Sequence, residues 1–276
     1  MTPPLITSLT HRARLEWIEA GGGRVAWRRF GTGVPLVLLH GGHGSWLHWV
    51  HNIEALSAAG HAVLVPDMPG FGDSDALAGD PHAPDRLDRL LDALDRCCDA
   101  LLGAGAPIDL VGFSFGGLVA ANLARRRSAI RRLALLGPAG HGSRRRPRTA
   151  LVDWRIDDRA AREVALRRNL EAHMIADPQQ VDDLALAVHE ASCLGTRFRS
   201  KEISLKASLR DVLRGVDRPV LAIFGEHDVT ATPADAIAAL QQLNPFSRCV
   251  TVPGAGHWVQ FESPAVVNRE LIDWFA

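Results

Sequence analysis

Apolar residues along the chain follow two rhythms. Short continuous runs occupy positions 35–39, 62–65, 108–111, 133–136, 220–224 and 249–252. Runs of that length without alternation suit strands buried on both faces, as in a parallel sheet. Between them, apolar residues recur at steps of three and four. Leu87, Leu90, Leu91, Leu94 and Leu101 form one stripe within 85–102, which predicts an amphipathic helix. A second helix is predicted from Ser45 as N-cap through Trp46, Trp49, Val50, Ile53 and Leu56, ending at Gly60. Ahead of these, positions 14–19 and 24–30 flank Gly21, Gly22 and Gly23, the pattern of a β-hairpin. Strands alternating with helices after an antiparallel start predict an α/β architecture: a mostly parallel sheet with an antiparallel N-terminal hairpin and helices on both faces.

One segment breaks the alternation. From about Gly140 to about Arg214 no strand run occurs, while Arg, Ala, Leu and Asp accumulate at helical spacing. The expected organisation is therefore a core of residues 1–139 and 215–276 with a helical cap, 140–214, inserted so as to cover the carboxyl ends of the strands.

Composition narrows the class of partner. With 276 residues, 47% hydrophobic and 22% charged, the chain has the makings of an ordinary globular core. Lys plus Arg and Asp plus Glu number 31 each, which removes a global electrostatic case for nucleic acid or an anionic membrane. The clusters at Arg125–Arg127 and Arg144–Arg146 are expected to be solvated faces or helix ends. No apolar run approaches the ~20 residues of a membrane span. The first residues lack the charged, apolar and small-residue order of an export signal, so a cytoplasmic setting is expected. Cys97, Cys98, Cys193 and Cys249 have no metal-like spacing and are expected to be reduced thiols. His48 and His51 lie one helical turn apart without a third ligand, so no metal is expected, and no cofactor motif is complete. A homodimer rests only on the base rate for soluble enzymes.

Chemistry enters with LVGFSFGG. Gly112-Phe113-Ser114-Phe115-Gly116 follows a predicted strand and precedes a helical pattern, the context in which G-x-S-x-G turns a serine out above a sheet. A neutral serine is a poor nucleophile and needs a base and a group to orient that base. Asp228, in FGEHD, and His257, in PGAGHW, each follow their own predicted strand, which places them at the sheet end where Ser114 emerges. In that arrangement His257 takes the serine proton and Asp228 fixes the imidazole tautomer. Glu226 and His227 are the competing acid and base. His40-Gly41-Gly42-His43-Gly44 follows another strand, and the N–H groups of Gly42 and Phe115 are the expected oxyanion donors, with His43 as the nearby alternative. Gly41, His43, Trp46, Phe113, His189 and Trp258 are expected at the substrate, a small molecule held by apolar walls and the cap.

Over nearly its full length the chain resembles the α/β-hydrolase superfamily: LVLLHGGHGSW, VLVPDMPGFGDSD, LVGFSFGG, LAIFGEHD and VPGAGHWVQFESP stand in that superfamily's usual order. The resemblance implies the α/β-hydrolase fold with an inserted cap and a serine hydrolase without a cofactor. GHWVQFE and LLGPAG are most similar to the meta-cleavage-product hydrolases, which cut a carbon–carbon bond in vinylogous diketo acids, and imply that Trp258 belongs to the acyl pocket wall. Two departures stand out. Phe113 occupies the position before the nucleophile where those enzymes carry asparagine, and His189 falls where they carry a lid arginine, with Arg197 and Arg199 close by. Both departures point toward a less polar acyl substrate, so a carboxylic ester is the first expectation and carbon–carbon cleavage the second. A ligand receptor on the same fold is the expectation from another class.

Overall fold

The computed structural model describes residues 2–142, 146, 149–206, 208–244 and 246–276. Among these residues eight strands build one sheet: β1 (Arg14–Ala20), β2 (Gly23–Phe30), β3 (Val34–Leu39), β4 (His61–Pro66), β5 (Ile108–Phe113), β6 (Ile130–Leu136), β7 (Val220–Gly225) and β8 (Arg248–Val252). Their order is β1-β2-β4-β3-β5-β6-β7-β8. The β1–β2 and β2–β4 pairs are antiparallel and all others parallel, as the glycine-centred hairpin and the continuous apolar runs predict.

Each central strand divides its side chains between two cores. On β3, Val37 and Leu39 join the helices Arg86–Leu102 and Phe115–Arg126 on one face, while Leu36 and Leu38 join Trp49, Ile53, Trp258 and Leu271 on the other. This double coverage is why these runs show no alternation. Strand β8 departs from it: it is the sheet edge, and Cys249 and Val250 are only half-buried.

The helix predicted from Ser45 is broken. Trp46–Trp49 is a 3-10 turn and the α-helix begins only at Ile53. Tertiary partners take the groups a continuous helix needs: Ser45 Oγ bonds Ser192 Oγ at 2.9 Å instead of capping, and the His48 carbonyl accepts from Trp258 Nε1 at 3.2 Å. Asn52 N–H then closes the shorter bond to Trp49 O at 2.9 Å.

Between β6 and β7 the described residues form no strand and carry the helices Arg159–His173, Asp183–Leu194, Ser200–Lys206 and Leu209–Leu213. The last packs on helix Phe115–Arg126, with Leu209, Val212 and Leu213 in the first core. Of the arginine clusters, Arg126 pairs with Asp88 and Asp92, and Arg127 with Asp95 and Asp99, so they join two helices. Arg144 and Arg145 lie outside the described residues.

Between β5 and its following helix the chain reverses within one residue. Ser114 has φ 53° and ψ −115°, backbone that L residues avoid. Cβ atoms at Gly112 or Gly116 would collide with backbone, at Gly116 and at Leu39 and His40 respectively, so both glycines are steric requirements of the turn. Removing the Ser114 Cβ relieves strain of about 1–3 kcal/mol, less about 0.4–1 kcal/mol for the freer unfolded chain. Ser114→Gly is therefore expected to be about 1 kcal/mol more stable than Ser114→Ala in denaturant unfolding; an equal or lower stability would show that this turn stores no strain.

Candidate active site

The carboxyl ends of β3, β5, β6, β7 and β8 deliver their loops to one place. Ser114 Oγ lies 2.9 Å from His257 Nε2, and His257 Nδ1 lies 2.9 Å from Asp228 Oδ2. The three side chains, 114 positions apart between Ser114 and Asp228 and 29 between Asp228 and His257, thus form one continuous hydrogen-bonded line. Asp228 is fully buried and also accepts at Oδ1 from the N–H (2.7 Å) and hydroxyl (2.8 Å) of Thr230. Burial alone would raise its pKa, but His257 and the Thr230 hydrogen bonds outweigh it, and the carboxyl is held below its ordinary range. Gly137, at the end of β6 with φ 44°, lets the backbone lie against this pair: a Cβ there would stand 3.0 Å from Asp228 Oδ2 and 3.1 Å from His257 Nδ1. Glu226 and His227 instead face solvent beside each other, and Glu226 accepts from Gly254 N–H.

A second carboxylate holds the histidine loop. Buried Glu262 accepts from the N–H groups of Gly256 (2.6 Å), Ala176 (2.8 Å) and Asp177 (3.2 Å), and Trp258 N–H donates to Met174 O at 2.7 Å. The loop bearing His257 is thereby fastened to the end of helix Arg159–His173. The His173 ring stands 5.5 Å from that of His257.

Above Ser114 opens a cavity of about 460 Å³. Gly42, His43, Phe113, Phe115 and His189 line it. Gly42 and Phe115 are neighbours across the floor, since a Cβ at Gly42 would lie 3.7 Å from Phe115 Cβ. Phe115 is the first residue of its helix, where an N–H has no intrahelical acceptor. His43 stands at the mouth with φ 50°. Burial lowers its pKa, and nearby Arg155 and Lys201 lower it further. The His189 ring is buried against Cys193 Sγ at 3.8 Å; burial, then His43, push its pKa down to about 4.

Three expected substrate residues are placed elsewhere. Trp46 is buried between Phe30 and the Arg28 guanidinium, because its N–H is drawn to Asp67 Oδ1 at 2.8 Å. Trp258 is fully buried, stacked on Phe261 and 5.1 Å from the His48 ring, so it stands behind the site and forms no wall of the cavity. Gly41 lies beneath the floor against Phe113 and Ser114. Arg197 donates to Gly72 O, Ser74 O and Gly195 O, tying two loops together outside the cavity. The cations that do line it, Arg155 and Lys201, sit in a segment whose polar pattern gave no hint of position. Among the described residues no group of three or more His, Cys, Asp or Glu side chains could hold a metal ion, and no helix is long and apolar enough to cross a membrane.

Burial keeps His40, His48 and His189 below the ordinary histidine pKa. The unfolded chain takes up protons there from about pH 6.5 downward while the folded protein resists, so stability is lost as pH falls from 7 toward 4. The His189 displacement from 6.5 to about 4 amounts to about 3 kcal/mol by pH 4. Denaturant unfolding of His189→Gln is expected to lose about that much less over the interval; identical losses would mean that the folded protein protonates His189 freely.

Residues 36–270 match the model of the alpha/beta hydrolase family. The chain is 32% identical to 2-hydroxymuconate semialdehyde hydrolase of Pseudomonas sp. (strain CF600), over 94% of this chain and 93% of that one. Its fold is similar to a meta-cleavage product hydrolase from Pseudomonas fluorescens IP01 (TM-score 0.73, 25% identity, covering 94% and 97% of the two chains). It is equally similar to an esterase from Rhodococcus sp. ECU1013 (TM-score 0.74, 24% identity, 94% and 97%). A match spanning most of the sheet and every loop around Ser114 shows that this chain belongs to the alpha/beta hydrolase family.

Proposed function

We propose that the protein is a serine hydrolase that opens a small carbonyl substrate, in the first instance a carboxylic ester, through an acyl-enzyme. The observation that carries this reading is the unbroken line Ser114 Oγ–His257–Asp228, with 2.9 Å at each junction, on the floor of the cavity. Ser114 attacks the carbonyl carbon as its proton passes to His257 Nε2, and the oxyanion faces the N–H groups of Gly42 and Phe115. His257 returns the proton to the departing alcohol. It then takes one from water, which attacks the acyl-serine and releases the acid. Asp228 keeps the proton of the neutral ring on Nδ1, leaving Nε2 free to accept. The segment 140–214 serves as the cap, since its residues Trp154, His173, Met174 and His189 roof the cavity.

Carbon–carbon hydrolysis is the second reading, and two observations favour it. The Pseudomonas relative is by name a hydrolase of 2-hydroxymuconate semialdehyde, and Arg155 and Lys201 at the cavity mouth suit a substrate bearing a carboxylate. The same serine would then attack after the substrate has ketonised. A receptor would need neither the serine nor its proton acceptor.

Fluorophosphonate is expected to label Ser114 in the folded protein. Ser114→Ala should abolish labelling and turnover with an unchanged circular dichroism spectrum, and Asp228→Asn should lower kcat by about 10⁴-fold. An unlabelled wild-type protein would favour the receptor. Short-chain aryl esters and a ring-fission dienoate, assayed side by side, separate the two hydrolytic readings: rapid loss of dienoate colour with negligible ester turnover would replace the ester.

A further inference from the structure

We infer that His40 and His48 are positioning residues that clamp Gly41 from opposite ends and so aim the Gly42 N–H into the cavity. This inference rests on the assignment of that N–H to the oxyanion. The geometry begins at Met68, whose backbone N–H donates to His40 Nε2 at 3.0 Å. A backbone N–H can only donate, so Nε2 carries no hydrogen and the ring proton sits on Nδ1. Nδ1–H lies 2.8 Å from Gly41 O and donates to it. Gly41 O and Gly42 N–H belong to one peptide unit, and no peptide bond among the described residues is cis. Across a trans unit the C=O and N–H point in opposite directions. Holding the carbonyl toward His40 therefore turns the Gly42 N–H away from it, toward the side where Gly42 lines the cavity.

His48 fixes the other end. Its Nδ1 accepts from Gly41 N–H at 3.3 Å, which puts the proton of the neutral ring on Nε2, a buried atom that has no hydrogen-bond partner. A buried polar atom left unpaired costs stability, and against that cost stands the bond that the other nitrogen makes with Gly41 N–H. The two rings are wedged in place: His40 against Phe71 at 4.9 Å, His48 against Phe113 at 5.5 Å and Trp258 at 5.1 Å. Gly44 is small because a Cβ there would stand 2.6 Å from both Gly41 O and His48 Cε1. Burial holds both imidazoles neutral, which the clamp requires, because a cationic ring would turn a donor toward Met68 N–H or toward Gly41 N–H.

Two substitutions at His40 separate aiming from packing. His40→Asn keeps an N–H near the place of Nδ1 and loses the acceptor for Met68; His40→Gln reaches the place of Nε2 and loses the donor to Gly41. Each forfeits one buried hydrogen bond, so their melting temperatures should fall alike. Removing an oxyanion donor outright costs about 10²–10³ in kcat; on that scale kcat should fall about 100-fold in His40→Gln and less than about tenfold in His40→Asn, with KM nearly unchanged in both. Ring ¹⁵N spectra of wild-type protein should show His40 protonated at Nδ1. Equal kcat losses in the two variants, or a proton on Nε2, would overturn the clamp. Should neither variant fold, His48→Asn, which keeps an acceptor for Gly41 N–H, against His48→Leu, which does not, decides in the same way: equal kcat overturns it. Failure of the underlying serine reading would look different, as turnover surviving in Ser114→Ala.

Discussion

The backbone of Ser114 is held where an L residue does not rest by choice, and the neighbouring chain holds it there through both of its polar groups. Its N–H donates to Leu136 O at 2.9 Å, and its carbonyl accepts from Gly117 and Ala139 at 2.9 Å and from Leu118 at 3.3 Å. These bonds couple β5 to β6 and to the following helix, so relaxing the serine would mean parting the sheet from that helix. A cost of about 1–3 kcal/mol is thus offset by contacts that the fold makes anyway. In return the hydroxyl leans out of the turn toward His257, while the same reversal leaves the Phe115 N–H at an open helix end.

What the serine meets is fixed by the parallel sheet. Strands running the same way put their following loops on one side, and β3 lies between β4 and β5, where the chain changes direction across the sheet. That brings the glycine-rich loop after β3 beside the turn after β5. The loops after β7 and β8 close in because glycines permit it: a Cβ at Gly225 would strike the backbone at Ala255 and Gly256, and one at Gly137 would press on the Asp228–His257 pair. Glu262 then binds the histidine loop to residues 176 and 177, so the end of helix Arg159–His173 and His257 share a support.

Much of this was legible in the chain because it depends on local pattern. Apolar runs marked the strands, and the residues after 113, 225 and 252 held Ser114, Asp228 and His257 in readable motifs. The failures share one cause. The predicted helix at Ser45 broke because Ser192, Asp67 and Trp258 take its hydroxyl, an N–H and a carbonyl, and all three are remote in sequence. Trp46 and Trp258 looked like pocket walls because they adjoin reactive motifs, but large apolar side chains there had core to fill on the opposite side. Arg155 and Lys201 were missed because nothing periodic distinguishes a cation beside a cavity from one on any solvated face. Glu262 stands inside a readable motif, five residues after His257, and only the folded chain shows its three N–H partners.

The histidines around Ser114 stand in unlike electrostatic surroundings. His189 lines the same cavity as His257, and His40 and His48 pack against Gly41 beneath its floor; unpaired cationic rings so close together would repel one another and any arriving positive charge. Burial suppresses that by keeping the three below the ordinary histidine pKa. His257 has what none of these three has, a hydrogen bond to a buried carboxylate: Asp228 Oδ2 stands 2.9 Å from its Nδ1 and stays ionised. Under the proposed mechanism, the charge that the Ser114 proton brings to Nε2 has a counter-charge already in place. The electrostatic setting of the proposed proton transfer therefore follows from where one aspartate was placed, and from the desolvation of the neighbouring rings.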